Sequence, residues 1–442
     1  MRPVNSILIN ESDSSIERDE SLVGFGENIS KLDIFFSILF LSGLYTGIFL
    51  YISDNLFIPY FICGLSAIYF IIKNAQSISA YYFIPIIVLY LITAAGMVFA
   101  PAPLVYFLER FKGLVQIMYS SSIGLLFFIH MRRWNNSAIA RLFMGFLILI
   151  AAGATLEVFT KFKYLSDEFR HMVFRWGFYE ADLRDLYTYG QIRPKLFTSE
   201  PSHVAKFYIL SLFVWFALSE SKKRYSGYLF FISVGLILIR SPIIILSIPL
   251  ALTVEIFFRN RSGLNNILNK YSPLNRGNIL ILTIISILFL SIGLNTILSG
   301  RIQKMIIGPD ESFALRIVGP ALIAIDTIKE YPLWGTGITG KEAASEIIFD
   351  AYWRIGYRIT RVHDANVNFL SLFISYYGLL GGLLFIAGFI FLVRRLEIKG
   401  GIFITLTILL FSQTMGAFVG LRTWGYIFII LLVASYYRPA NE

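Results

Sequence analysis

Arginine dominates the longest polar interruption of this chain. Between Ser299 and His363 it stands at 301, 316, 354, 358 and 361, and the stretch runs on as His363-Asp364-Ala365-Asn366-Val367-Asn368-Phe369-Leu370. A guanidinium is a planar fork of donors that can grip two phosphate oxygens at once, where lysine is a point charge. An imidazole titrates near neutrality and can accept the proton of a hydroxyl. Together these groups suit a reaction that holds a phosphate-bearing leaving group and activates a hydroxyl nucleophile.

Three further constellations add to this set. Arg240 stands between two apolar runs and is followed by Ser241 and Pro242; serine can cap the next helix and proline suits its first turn. Snorkelling to the interface would explain such an arginine. The hairpin leaves almost no loop to hide a charge, however, and an arginine at bilayer depth costs roughly 2.5–3.5 kcal/mol on insertion scales. Arg316 opens an expected amphipathic helix, apolar at Ile317, Ala321, Ile325 and Ile328, that ends at Tyr331-Pro332 before Gly335, Gly337 and Gly340. A helix lying on the membrane surface fits that pattern equally well. Arg193, Lys195, Glu200 and His203 gather before another apolar run, where Glu200-Pro201-Ser202 also reads as an ordinary helix start. Asp364 or Asn366 could likewise serve as a helix cap beside His363. Aromatics around Trp176 and Trp353 fit an interfacial belt, or faces on which sugar rings stack.

The elements that must position these residues are membrane helices. Of 442 residues 56% are hydrophobic and only 15% charged, against about a quarter charged in soluble domains; mean hydropathy is +0.69. Apolar runs of the length a bilayer requires recur along the chain, so the fold class is an all-α polytopic membrane protein with about twelve transmembrane helices. They are expected near 34–53, 56–73, 81–101, 113–131, 142–159, 204–220, 227–239, 241–258, 279–298, 366–393, 401–419 and 425–437. Residues 1–33 form a polar N-terminal tail and 34–437 the transmembrane domain. Basic residues concentrate in every second connection, as at Arg132, Arg133 and Arg141 and at Arg394, Arg395 and Lys399. This places those loops and both termini in the cytoplasm. The two long connections, 160–203 and 299–365, then face outward, the second as a long helical external loop.

The N-terminus lacks the basic-then-apolar pattern of a signal peptide. Cys63 is the only cysteine, so no intrachain disulfide can form. No glycine-rich phosphate loop, metal-ligand spacing, Asp-X-Asp signature or nucleic-acid motif is present, so no cofactor, metal or nucleic-acid partner is expected. A transporter or lipid-linked glycan flippase would carry charges near the bilayer midplane. Here Glu157 and Glu255 fall near span ends, and the candidate residues gather at one face, which suits an enzyme better.

In order and spacing these segments resemble the O-antigen ligase/polymerase superfamily of bacterial membrane glycosyltransferases. The resemblance is carried by 193–205, by the Arg-Ser hairpin at 239–243, and by 312–385. That last stretch holds an Arg-led helix running into Pro-Leu-X-Gly-X-Gly, the His363 segment, and Tyr377-Gly378-Leu379-Leu380-Gly381. It implies a GT-C-like fold with its active site at the outer face of the bacterial inner membrane. The implied donor is a glycan on undecaprenyl diphosphate, transferred to a glycan acceptor, with a chain-length regulator as a candidate partner. Arg240 and Arg316 would hold the diphosphate, joined by Arg193 or Arg301. His363 would be the general base, supported by Glu200, Asp364, Asn366 and Asn368. The Glu-Pro-Ser form at 200–202 and the long His363 segment look like a repeat-unit polymerase more than a ligase that passes glycan to an acceptor such as lipid A-core. The loop around 340–361 would close over the acceptor, its glycines acting as hinges.

Overall fold

The computed structural model describes residues 29–53, 56–76, 80–174, 178–221, 224–259, 314–362, 365, 368–412 and 415–436. In chain order come α1 (Lys31–Thr46), a hairpin of β1 (Leu50–Ser53) and β2 (Leu56–Ile58), α2 (Phe61–Asn74), α3 (Ala80–Phe99), α4 (Phe107–Met131) and α5 (Asn136–Phe159). The connection after α5 carries α6 (Phe162–Val173) and α7 (Asp182–Tyr189), and α8 (Pro201–Leu218), α9 (Arg224–Val234) and α10 (Ser247–Val254) follow. After the long connection come α11 (Gly319–Glu330), α12 (Ser345–Arg354), α13 (Phe369–Arg395), α14 (Gly401–Ser412) and α15 (Leu421–Ser435).

The protein is a helical membrane protein. Among the described residues α3, α4, α5, α8 and α13 are long and apolar enough to cross a bilayer, and five shorter apolar helices accompany them. That is fewer than the twelve spans expected from hydropathy, and the run at 279–298 lies outside the described residues. The first expected span stops early: Gly47 takes a left-handed conformation at φ 68, its amide bonds to Gly43 O, and the chain turns into the hairpin. The expected 401–419 span is helical only to Ser412.

Two helices form the centre. In α15 every residue from Leu421 to Ala434 is buried. In α8 every residue is buried except His203 and Lys206. Helices apolar on all sides belong inside a bundle, so the two partly exposed polar residues of α8 mark an opening. Glycines let the helices approach closely, as bilayer proteins require. A Cβ at Gly124 of α4 would lie 2.5 Å from the Phe428 ring of α15, and one at Gly43 of α1 would lie 2.9 Å from Cys63 of α2.

The most constrained feature is a broken helix. α13 is interrupted at Gly378 (φ 60, ψ −157), a conformation closed to residues with a Cβ. Into the break docks the glycine-rich stretch 332–340. Leu379 N donates to Pro332 O (2.7 Å), Leu380 N and Gly381 N to Leu333 O (3.0 and 3.1 Å), Thr336 N to Ser375 O (2.8 Å) and Gly337 N to Tyr376 O (3.1 Å). Backbone groups freed inside a membrane protein must find partners, and here the stretch 332–340 supplies them. Arg110, fully buried in the first turn of α4, holds the same stretch through Nε and Nη2 to Thr336 O (3.0 and 2.7 Å) and Nη2 to Pro101 O (2.6 Å). Gly335 and Gly337 therefore serve close approach of backbones.

Candidate functional site

The connection between α5 and α8 is fixed by ion pairs. Lys195 Nζ lies 2.7 Å from Asp182 and 3.2 Å from Asp167, Lys163 lies 2.7 Å from Asp182, and Arg170 lies 2.6 Å from Asp167. Burial opposes the Asp182 charge, yet Lys163 and Lys195 outweigh it and hold that carboxyl below its ordinary range. Glu157, at the end of α5, accepts the amides of Lys195 and Leu196 (3.1 and 2.7 Å) and pins the strand that leads to α8. Arg193 belongs to this framework: Nε and Nη2 reach Asp185 at 2.9 Å, and Nη2 donates to Tyr179 OH at 2.9 Å. Its guanidinium is already committed to a carboxylate.

At the end of this loop Glu200 is the residue before α8, with Pro201 in the first helical position, as its sequence suggests. Glu200 Oε2 accepts from Ser202 Oγ at 2.8 Å. One and two turns into α8, His203 and Lys206 face the opening. Nδ1 of His203 lies 3.1 Å from Ser199 Oγ. The cations of Arg422, Lys206 and Arg316 act on the His203 ring, and Arg422, Glu200 and Arg316 act on Lys206.

These charges come from distant parts of the chain. Arg422, buried in the first turn of α15, turns toward the carbonyls that end α1, Leu44 O at 3.5 Å and Tyr45 O at 3.4 Å, and lies over the Tyr60 ring. Arg316 sits exposed in a π-type turn, Ala314–Val318, that leads into α11. Among the described residues no carboxylate lies within ion-pair distance of Arg316, Lys206 or Arg422, and Glu200 is the one acidic group acting on Lys206. Among the described residues the site therefore brings Arg316, Lys206, Arg422 and His203 within electrostatic range of one carboxylate, where α1 ends and α8 and α15 begin. Cations in such a place require anionic partners.

Asn368 ties this cluster to the segment that carries the candidate base. Its Oδ1 caps α13 by accepting Ser371 N (2.8 Å), and its Nδ2 donates to Arg316 O (3.2 Å). Asn368 was expected to support the site; the cap of α13 falls to it, where Asp364 or Asn366 had been considered. His363, Asp364, Asn366 and Arg301 lie outside the described residues.

Arg240 occupies the expected tight hairpin, with φ 46 between a π-type turn (Gly235–Ile239) and a 3-10 turn (Pro242–Leu246). Ser241 takes the capping position there without a capping hydrogen bond from its hydroxyl. Nε of Arg240 donates to Ile237 O at 3.2 Å, and its guanidinium lies against Gly190 at the end of α7, beside Gln191, whose Nε2 donates to Ile237 O and Leu238 O (both 3.0 Å). Arg240 thus meets the connection between α5 and α8, while Arg316 sits on the turn before α11, its carbonyl held by Asn368 and its charge acting on His203 and Lys206. Of the other expected arginines, Arg354 pairs with Asp326 and Asp350, and Arg358 lies over Trp353.

The turn and helix led by Arg316 present two faces. Ile317, Ala321 and Ile325 are exposed, whereas Pro320, Ile323, Ala324 and Thr327 are buried against α12 and α13. Sequence reasoning missed Lys206 and Arg422. Both interrupt apolar runs, and Lys206 follows His203 by three residues, one helical face; those were the available signals. Comparison with protein-family models, with curated proteins and with solved structures finds no match.

Proposed function

We propose that this protein is a glycosyltransferase that joins glycan repeat units carried on undecaprenyl diphosphate, at the outer face of a bacterial inner membrane. The carrying observation is the mutual influence of Arg316, Lys206, Arg422 and His203, with Glu200 the acidic group acting on Lys206 among the described residues. A diphosphate has the charge and the width to answer it. Guanidinium and ammonium groups fixed in place before reaction stabilise charge as it grows on the leaving phosphate, most strongly where water is excluded. His363 is the proposed base that takes the proton of the incoming sugar hydroxyl. Its place in the sequence, five residues before Asn368, supports this, because Asn368 bonds the Arg316 backbone. A single displacement would break the anomeric carbon to phosphate-oxygen bond as the new glycosidic bond forms, inverting the centre. The lipid-linked diphosphate is itself the energised bond. The twelve-span, GT-C-like arrangement with both termini inside belongs to this proposal. It requires α1, the five shorter apolar helices and 279–298 to cross the membrane as well.

The test is mass spectrometry of lipid-linked glycans in cells lacking the gene, complemented by wild type, Arg316→Ala, Lys206→Met or Arg422→Gln. Single repeat units should accumulate on the carrier in the deletion and in each variant at normal membrane levels. Long chains stranded on the carrier would instead assign a ligase. Normal polymer in all three variants would reject the site, and intact carrier-linked units confined to the inner leaflet would assign transport.

A further inference from the structure

Helix α7 is built the wrong way round for water. Its acids turn inward: Asp185 is fully buried and lies 2.9 Å from Arg193, and Asp182 lies 2.7 Å from both Lys195 and Lys163. Its outward side carries Leu183, Leu186 and Tyr187, which are 83%, 47% and 92% exposed. These three stand at i, i+3 and i+4 and so share one side of the helix, while the acids at 182 and 185 share another. A helix that lies between a protein core and water shows the opposite order, with its apolar stripe toward the core and its charges outside. Arg184, also exposed, stands beside the apolar side, where a long stem lets the charge snorkel to a polar layer.

The neighbours of α7 on both sides show which medium it meets. Upstream, the connection leaves α5, a helix long and apolar enough to cross a bilayer, and the last residue of α5, Phe159, is 67% exposed. The exposed Leu165 and Met172 of α6 follow. Downstream, Gln191 ties the end of α7 to the apolar helical run Arg224–Ile239: its Nε2 donates to Ile237 O and Leu238 O, both at 3.0 Å, and Ile237 is 60% exposed. Large apolar side chains exposed on the helices of a membrane bundle face lipid tails, which are as apolar as they are. The apolar side of α7 thus continues the lipid-facing surface of the bundle.

We infer that α7 lies in the surface layer of the bilayer, with Leu183, Leu186 and Tyr187 set among acyl chains. The occupant of this side is lipid hydrocarbon, so the contact does not depend on headgroup charge. Amphipathic helices bind in this way, their apolar side sinking about 5–10 Å into the boundary between headgroups and chains. The ion pairs of Asp182 and Asp185 keep the acids of α7 away from that layer. The connection between α5 and α8 is then a shelf resting on the membrane, fastened by ion pairs within and by lipid outside. Glycosyl transfer plays no part in this inference.

The experiment is spin-label electron paramagnetic resonance of the full-length protein in dioleoyl phosphatidylcholine liposomes. Cys63 is buried, and unsubstituted protein carried through the same labelling sets the background. Nitroxides on Leu183→Cys and on Tyr187→Cys should collide with oxygen, which concentrates in hydrocarbon, in preference to a nickel chelate, which stays in water. Their oxygen-to-chelate collision ratio should be at least about threefold that of a label on Glu180→Cys, as burial of an apolar helix side in the interface requires; the Glu180 side chain is 65% exposed. A ratio at 183 and 187 no higher than at 180 overturns the proposal. Exclusion of both reagents at 183 and 187, by another segment of this chain or a second copy covering them, overturns it as well.

Discussion

The docking of 332–340 into the break in α13 gives the sharpest test of the architecture, and Gly378→Ala is the perturbation. The residue sits at φ 60, ψ −157, and an added Cβ would lie 2.6 Å from Gly335 N and 2.9 Å from Leu333 C and O. Those contacts are with backbone, which cannot swing aside. Holding a non-glycine residue in such a region costs about 1–3 kcal/mol. Relieving it means parting the two segments, with the loss of five backbone hydrogen bonds. At a net 0.5–1.5 kcal/mol each, these sum to roughly 3–7 kcal/mol. The strain together with the backbone clash reaches about 3 kcal/mol, comparable to the low end of that docking energy, and shifts the docked-to-undocked ratio by about two orders of magnitude.

Hydrogen exchange by mass spectrometry reads this directly. Peptides covering 332–340 and 375–381 should exchange at least about 100-fold faster in Gly378→Ala, while α8 and α15 keep their protection. Gly335→Ala should behave alike, because its Cβ would stand 2.2 Å from Ser375 O. Gly356→Ala is the control. It too has positive φ (79), but nothing lies within 4 Å of the new Cβ, so its effect is a local strain of about 1–2 kcal/mol. Protection in Gly378→Ala within threefold of wild type would refute the interlock.

Three more outcomes are expected. Arg110→Met removes three hydrogen bonds that hold Thr336 and Pro101; bonds from a charged donor are worth about 1.5–3 kcal/mol, so the 332–340 peptides should exchange at least tenfold faster, and unchanged protection would contradict the anchoring role. The Asp182 carboxyl is held below its ordinary pKa of 3.8, so its contribution to loop stability is full above that pH and is lost as pH falls through the lower folded value; exchange across Asp182–Tyr189 should rise in that acid window in wild type, and Asp182→Asn should lack that acid step. His363→Ala should reduce glycan polymerisation by about 10²–10⁴-fold, the usual contribution of a general base, and a loss below about threefold would remove it from the reaction.

What the sequence made legible followed from local rules, and what it hid depended on phase or on distant partners. The start of α8 at Glu200-Pro201 and the tight bend at Arg240 were readable because proline and a charge between apolar runs act within a few residues. The glycines at 335 and 337 were visible too, but a positive-φ glycine looks the same in a hinge as in a socket. Only the break at Gly378, some forty residues away, decides between them. The stripe of Ile317, Ala321 and Ile325 was legible as one face of a helix, but which neighbours the opposite face would meet, α12 and α13, depended on distant parts of the chain.

Arg422 failed for another reason. It lies one residue inside a helix whose other residues, to Ala434, are nearly all apolar or small, and hydropathy averaged over such a segment conceals a single cation. The same averaging conceals Lys206 in α8. A charge that a membrane helix can ill tolerate needs a compensating group; Glu200 acts on Lys206 along with two other cations, while Arg422 turns to the carbonyls that end α1. Rating each charged residue inside an apolar run by its missing partner, before assigning it to a span, would have brought 206 and 422 together with 316. The conflict between local composition and charge was itself the signal, because consistent sequences break their own rules chiefly where function demands it.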